Sequence, residues 1–103
     1  MLGVSSYCLM DRPLARALDE LAPLTDLVEV MNEGLHFITD TDIFASYSQK
    51  FFLHAPFHGM NIASVFEPIR VASVLVMTDC FATAAEIGAP VVMHPGYFAW
   101  EPE

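Results

Sequence analysis

Residues 51–64 read FFLHAPFHGMNIAS. The stretch starts as an apolar strand, Phe51-Phe52-Leu53, and closes it with His54-Ala55-Pro56. A loop carrying His58 and Asn61 follows. The same design returns later as Val91-Val92-Met93, then His94-Pro95-Gly96. Each copy is a short apolar run with a histidine at its C-terminal end and a proline close behind. In a parallel sheet, ligands collect beyond the carboxyl ends of the strands. Two histidines at such ends, on neighbouring strands, are read as one site.

Working outward, the chain alternates between strand and helix signals. Met1 to Tyr7 is the first expected strand. Asp11 is placed as a helix cap, with Pro13 in the first turn, where a missing N–H costs nothing. Leu14, Ala17, Leu18 and Leu21 then recur at helical spacing, and Pro23 ends that helix. Asp26 to Met31 reads as the second strand. Asn32-Glu33-Gly34 reads as a turn, with Gly34 suited to positive φ. Asp40 to Ser48 suits a short helix with Ile43, Phe44 and Tyr47 on its apolar face. Phe51 to Ala55 is the third strand. A helix then runs from Ser64 or Glu67, which have capping-box spacing, to Ile87, where Gly88 stops it. It is apolar on more than one side, as a helix buried on several sides would be. Pro90 to His94 is the fourth strand. The order β-α-β-α-β-α-β predicts one α/β domain over residues 1–103, with a parallel sheet and crossover helices.

Composition narrows the function. The 103 residues are 54% hydrophobic and only 17% charged, below the usual quarter for soluble domains. That balance predicts apolar surface meant for a partner. The formal net charge of −9, from 13 acids against four Lys and Arg, makes nucleic acid a poor partner, because phosphate binding needs cations. Cys8 and Cys80 have no metal-finger spacing and read as buried, reduced thiols. No signal peptide is seen, and Asp79 and Glu86 interrupt the apolar run from Val71, so a cytoplasmic protein without a membrane span is expected.

All four histidines (His36, His54, His58, His94) fall at strand ends or in the loops after strands, which a βα architecture gathers on one rim. His54 and His94 form the strongest pair. Strands lie about 4.8 Å apart, so imidazoles at matching heights on adjacent strands could share a divalent metal or a substrate oxygen. Zinc takes three or four protein ligands, so two histidines leave a site incomplete. Glu29, inside an apolar strand, is either a site carboxylate or a buried acid satisfied by a tyrosine or by Arg70. Glu33 and Asp40 read as solvated loop acids. His58 and Asn61 suit substrate oxygens or the backbone of their own loop. Tyr7, Tyr97, Phe98 and Trp100 cluster at rim positions, where Tyr7 and Trp100 could stack on a substrate.

These residues resemble the xylose isomerase-like TIM-barrel superfamily, which includes sugar isomerases, epimerases and endonuclease IV. The resemblance is carried by His54-Ala55-Pro56-Phe57, Asn61-Ile62-Ala63-Ser64, Arg70, Ala85-Glu86-Ile87-Gly88-Ala89 and Val91-Val92-Met93-His94-Pro95-Gly96. It implies that His54 and His94 are active-site residues: metal ligands as in endonuclease IV-like members, or substrate contacts as in many of the sugar isomerases. Glu29 matches a glutamate common on the second strand. The implied cofactor is a divalent metal (Zn, Mn or Mg), with later strands supplying the remaining ligands. A full barrel has eight βα units, whereas this sequence carries four strands. It is therefore expected to be a half-barrel, completed by a C-terminal half or by another copy. The expected activity is metal-dependent isomerisation or epimerisation of a sugar or sugar phosphate, with the 103-residue chain inactive alone. The alternatives are an endonuclease IV-like phosphodiesterase acting on abasic DNA and a non-catalytic, self-associating half-barrel.

Overall fold

Val28 and Val30 point to one side of their strand and Glu29 to the other, and that alternation sets the architecture. In this computed structural model, which describes residues 2–97, the valines are 1% and 0% exposed and Glu29 is half-buried. Four strands form one parallel sheet in sequence order: β1 (Val4–Ser5), β2 (Leu27–Met31), β3 (Lys50–His54) and β4 (Val91–Val92). Val28 pairs with Val4 and Phe51, Glu29 with Ser5 and Phe52, and Met31 with His54, which in turn pairs with Val92.

The connecting elements all cover one face of this sheet. The first helix, α1 (Leu14–Leu21), buries Leu14, Ala17, Leu18 and Leu21, the stripe expected from their spacing. The second, α2 (Glu67–Ile87), buries Ser73, Met77, Cys80 and Ala84. Leu14, Leu18, Leu21, Phe44, Met77, Cys80 and Ala84 share one apolar cluster with Val28, Val30 and Leu53. Each fully buried Leu or Val there contributes about 1.5–3 kcal/mol. On the other face, Phe52 and Val92 are each 37% exposed. Sequential strand order with every crossover on one side leaves the opposite face without helices, although Met31 and His54 at its C-terminal end are buried.

Several boundaries differ from expectation, for local reasons. The first strand is two residues long, because Ser5 Oγ accepts the Tyr7 N–H and turns the chain into a 3-10 helix, Ser6–Leu9. Asp11 does not cap α1. Its carboxylate pairs with Arg12 at 3.0 Å, and Pro13 takes the cap position. The segment read as a helix from Asp40 to Ser48 is a 3-10 helix, Thr41–Ser46, capped by the Asp40 side chain on the Asp42 N–H. Ser64 accepts the Phe66 N–H instead of making a capping box, and α2 begins at Glu67, with Pro68 in its first turn. Cys80 is buried as expected, but Cys8 is exposed.

His36 belongs to this framework and not to a rim. It is fully buried. Its Nε2 lies 2.9 Å from the Arg12 carbonyl, which can only accept, so Nε2 carries the proton. Nδ1 then accepts from the Ser6 hydroxyl at 2.9 Å, while Ser6 Oγ accepts the Met31 N–H. The result is a satisfied chain of hydrogen bonds beneath the end of β2.

Candidate functional site

His54 ends β3, in register with Met31 and Val92. The side-chain alternation therefore turns it toward the open face. It is 8% exposed, and its Nδ1 lies 2.8 Å from the Ala55 carbonyl. A carbonyl cannot donate, so Nδ1 carries the proton and Nε2 keeps its lone pair. A histidine whose far nitrogen is held by a backbone carbonyl has the form of a metal ligand or of a positioned acceptor. His94 lies two residues beyond β4 and is exposed. Its ring centroid is 5.0 Å from that of His54, with the planes 67° apart. The two imidazoles expected to meet are thus side by side on adjacent strands.

Zn–N bonds of about 2.0–2.1 Å and tetrahedral angles put the centroids of two ligating imidazoles roughly 5 Å apart, and the observed 5.0 Å meets that distance. Neutral imidazole nitrogens suit zinc and other first-row ions. Among the described residues no group of three or more His, Cys, Asp or Glu converges, so the pair alone does not make up the three or four protein ligands that zinc takes.

Phe57 builds the wall beside them. Its ring stacks on His94 at 4.4 Å and 18°, and lies 4.1 Å from His58 on another side and 5.3 Å from His54. A cavity of about 210 Å³ opens next to this stack, lined by Phe57, Met60, Ile62, Met77, His94 and Tyr97 among others. Its walls are mostly apolar, with the His94 imidazole at the edge.

Glu33, read from sequence as a solvated loop acid, is the residue that sequence reasoning missed. Its side chain is 13% exposed. It accepts the backbone N–H groups of Phe57 and His58, and its second oxygen lies 2.5 Å from His58 Nδ1. Burial pushes its pKa up, but the His58 side chain and the two N–H bonds outweigh that and hold it below the ordinary carboxylate range. Glu33 precedes Gly34, whose φ of +55° turns the chain at the end of β2. An Asn-Glu-Gly turn beyond a strand was the available signal.

The other expected residues are placed less directly. Asn61 is buried, and its side chain clamps the next loop: Oδ1 accepts the Tyr97 and Ala63 N–H groups, and Nδ2 donates to the Tyr97 carbonyl. Of its two expected uses, it makes the one that holds backbone. His58 is exposed and bound to Glu33. Glu29 lies on the open face with His54, one row deeper, beside Ser5 and Phe52. Arg70 is not its partner, being 3.8 Å from Glu67. Tyr7 is exposed after β1, at the far side of the sheet from β4. Trp100 and Phe98 lie outside the described residues.

No protein-family model matches the chain. Two curated proteins of Methanocaldococcus jannaschii are similar to it, both described only as uncharacterized. MJ1311 is 31% identical over 103 positions, covering 92% of this chain and 35% of that protein. MJ1614 is 34% identical over 102 positions, covering 93% and 41%. The chain thus spans well under half the length of these relatives. Among solved structures, the crystal structure of a D-tagatose 3-epimerase-like protein superposes with a TM-score of 0.79 at 30% identity, over 92% of this chain and 38% of that one. That neighbour is a TIM barrel of the xylose isomerase-like superfamily. The fold is therefore α/β, four parallel strands corresponding to part of a barrel.

Proposed function

We propose that this chain supplies the first strands of a metal-dependent sugar or sugar-phosphate isomerase or epimerase site, with His54 and His94 as its site residues. The observation that carries the reading is the pair itself. The two imidazole centroids stand 5.0 Å apart, and the Ala55 carbonyl holds His54 Nδ1, leaving Nε2 unpartnered among the described residues. The likeness to a D-tagatose 3-epimerase-like protein supports the reaction class. His54 and His94 would hold a divalent ion or a substrate oxygen. When bound, such an ion would polarise a carbonyl or hydroxyl.

The remaining residues orient and exclude water. Phe57, stacked on His94, dries one side of the pair, and the apolar wall of the neighbouring cavity offers a surface for the C–H groups of a sugar. Glu29 supplies a carboxylate one row below. A proton-moving carboxylate at the level of His54 and His94 would come from the greater length that the relatives possess. The 103-residue chain assayed with D-tagatose is therefore expected to read background, and turnover above background would show that the site needs no further strands.

The decisive experiment is a Mn²⁺ titration of the chain followed by histidine ring NMR. Paramagnetic broadening should strike His54 and His94 first and spare His36, and it should be lost in His54→Asn and His94→Asn. Broadening centred on the acidic surface, and unchanged in those variants, would overturn the reading.

A further inference from the structure

Phe57 is the only large ring in contact with His94, His54 and His58 together among the described residues. What fixes Phe57 is not the strand before it, because β3 ends at His54, three residues earlier. The Phe57 carbonyl accepts the Met60 N–H within its own loop, and the Phe57 N–H is held by Glu33, which reaches across from the end of β2. One carboxylate oxygen accepts the N–H groups of Phe57 and His58, and the other meets the His58 ring. The His58 ring in turn packs against the Phe57 ring, with centroids 4.1 Å apart and planes 30° apart. The carboxylate thus holds Phe57 by its backbone and also by the ring stacked on it. The Phe57 ring also lies nearly flat on His94, which follows β4 and which Glu33 does not contact directly.

We propose that Glu33 is a positioning residue of the histidine site: through Phe57 and His58 it sets the orientation of the His94 imidazole. The inference rests on the reading of His94 as a site residue, but its consequences are physical and need neither metal nor substrate. A loop acid serving only solubility would not be largely buried with three donors converging on it. Hydrogen bonds to an ionised acceptor are also about twice as strong as neutral ones.

Ring-current shifts test this on the 103-residue chain without any ligand. In the wild type the His94 ring protons, assigned by their loss in His94→Asn, should lie upfield because Phe57 covers them. Phe57→Leu should abolish that displacement. Glu33→Ala should abolish it to the same extent, while the His36 ring signals, held by Ser6 and Arg12, stay in place and report an intact fold. Glu33→Gln keeps one carbonyl oxygen for the Phe57 and His58 N–H groups, so it should retain most of the displacement. If Glu33→Ala disturbs His36 as well, Glu33→Asp gives the same reading: its shorter side chain should lose the shift. Upfield His94 signals that persist in both Glu33→Ala and Glu33→Asp would overturn the proposal, as would signals indifferent to Phe57→Leu. A Mn²⁺ titration that fails on the wild type would sink the site reading while leaving the ring-shift result to judge Glu33.

Discussion

A carboxylate ringed by three donors behaves differently from one in water, and Glu33 should show it in the pH dependence of stability. Its folded pKa is depressed below the ordinary range, so in acid the unfolded chain binds the proton first. Stability contributed by Glu33 is then fully present above the ordinary carboxylate value of about 4.3. It is lost as pH falls through the lower folded value, so stability rises with pH across that window. Urea midpoints measured from neutral to acid pH should fall less steeply in Glu33→Gln than in wild type, and identical slopes would show the carboxylate to be unlinked. At neutral pH, Glu33→Ala leaves the Phe57 N–H without its partner and should cost on the order of 1.5–3 kcal/mol. The pairing of His54 with His94 was legible because each sits at the end of an apolar run before a proline. Glu33 was not legible, since its partners are backbone N–H groups from a loop that only the β2–β3 register brings within reach. His36 was misplaced for a related reason. One partner, Ser6, falls inside the stretch read as the first strand, and the other, the Arg12 carbonyl, lies next to the Asp11 read as a helix cap.

Among the elements, α2 separates interactions that look alike in the sequence. Ser73, Thr78 and Thr83 each donate their hydroxyl to the carbonyl four residues back. Only Ser73 is buried, and only its oxygen also accepts a loop N–H, that of Asn61 at 2.8 Å. Ser73→Ala should therefore cost about 1–3 kcal/mol by orphaning a buried donor, whereas Thr78→Ala, on an exposed face, should stay within about 0.5 kcal/mol. Equal effects in chemical denaturation would show that the Asn61 loop is not anchored by α2. At the far end of the helix, Gly88 has φ +65° with nothing within 4 Å of an added Cβ. Gly88→Ala should then lose only the left-handed backbone penalty, roughly 1–2 kcal/mol. A larger loss would mean that the site is more crowded than it is here. The helix stripes and the Gly88 stop were readable because each is a local pattern of period or φ. Strand ends were not. β1 and β4 are two residues each, since their length depends on pairing with β2 and β3 and on the turns that leave them. The 3-10 form of Thr41–Ser46 likewise follows from a tight Asp40 cap that the apolar spacing could not distinguish from an α-helical one.

On the scale of the whole chain, the one-sided coverage of the sheet leaves apolar surface that water must cover or a partner must take. Two surfaces compete for that role. The open sheet face shows Phe52 and Val92, but its edge strands are two residues long and make poor templates for further pairing. The flank of α2 is longer. Thr41 donates to Glu86 on one side of the helix, and at helical spacing Val74, Thr78, Phe81 and Ala85 line the other side, where Val74 and Phe81 are 43% and 45% exposed. In a row of βα units, that flank is the one against which a following helix packs, which is why α2 reads as apolar nearly all round. Among the described residues nothing covers Val74 and Phe81 on this flank, and we expect it to drive association between copies of the 103-residue chain. The net charge of −9 opposes it, and salt screens that repulsion. Sedimentation of the 103-residue chain at micromolar concentration should give a mass above the 11.4 kDa monomer, rising further with ionic strength. Val74→Glu combined with Phe81→Glu should return it to the monomer with the histidine ring signals unchanged, whereas Phe52→Lys should not. A monomer at high salt would show that this surface is tolerated in water. A dimer broken by Phe52→Lys alone would assign the contact to the sheet face and make the histidine rim part of an interface.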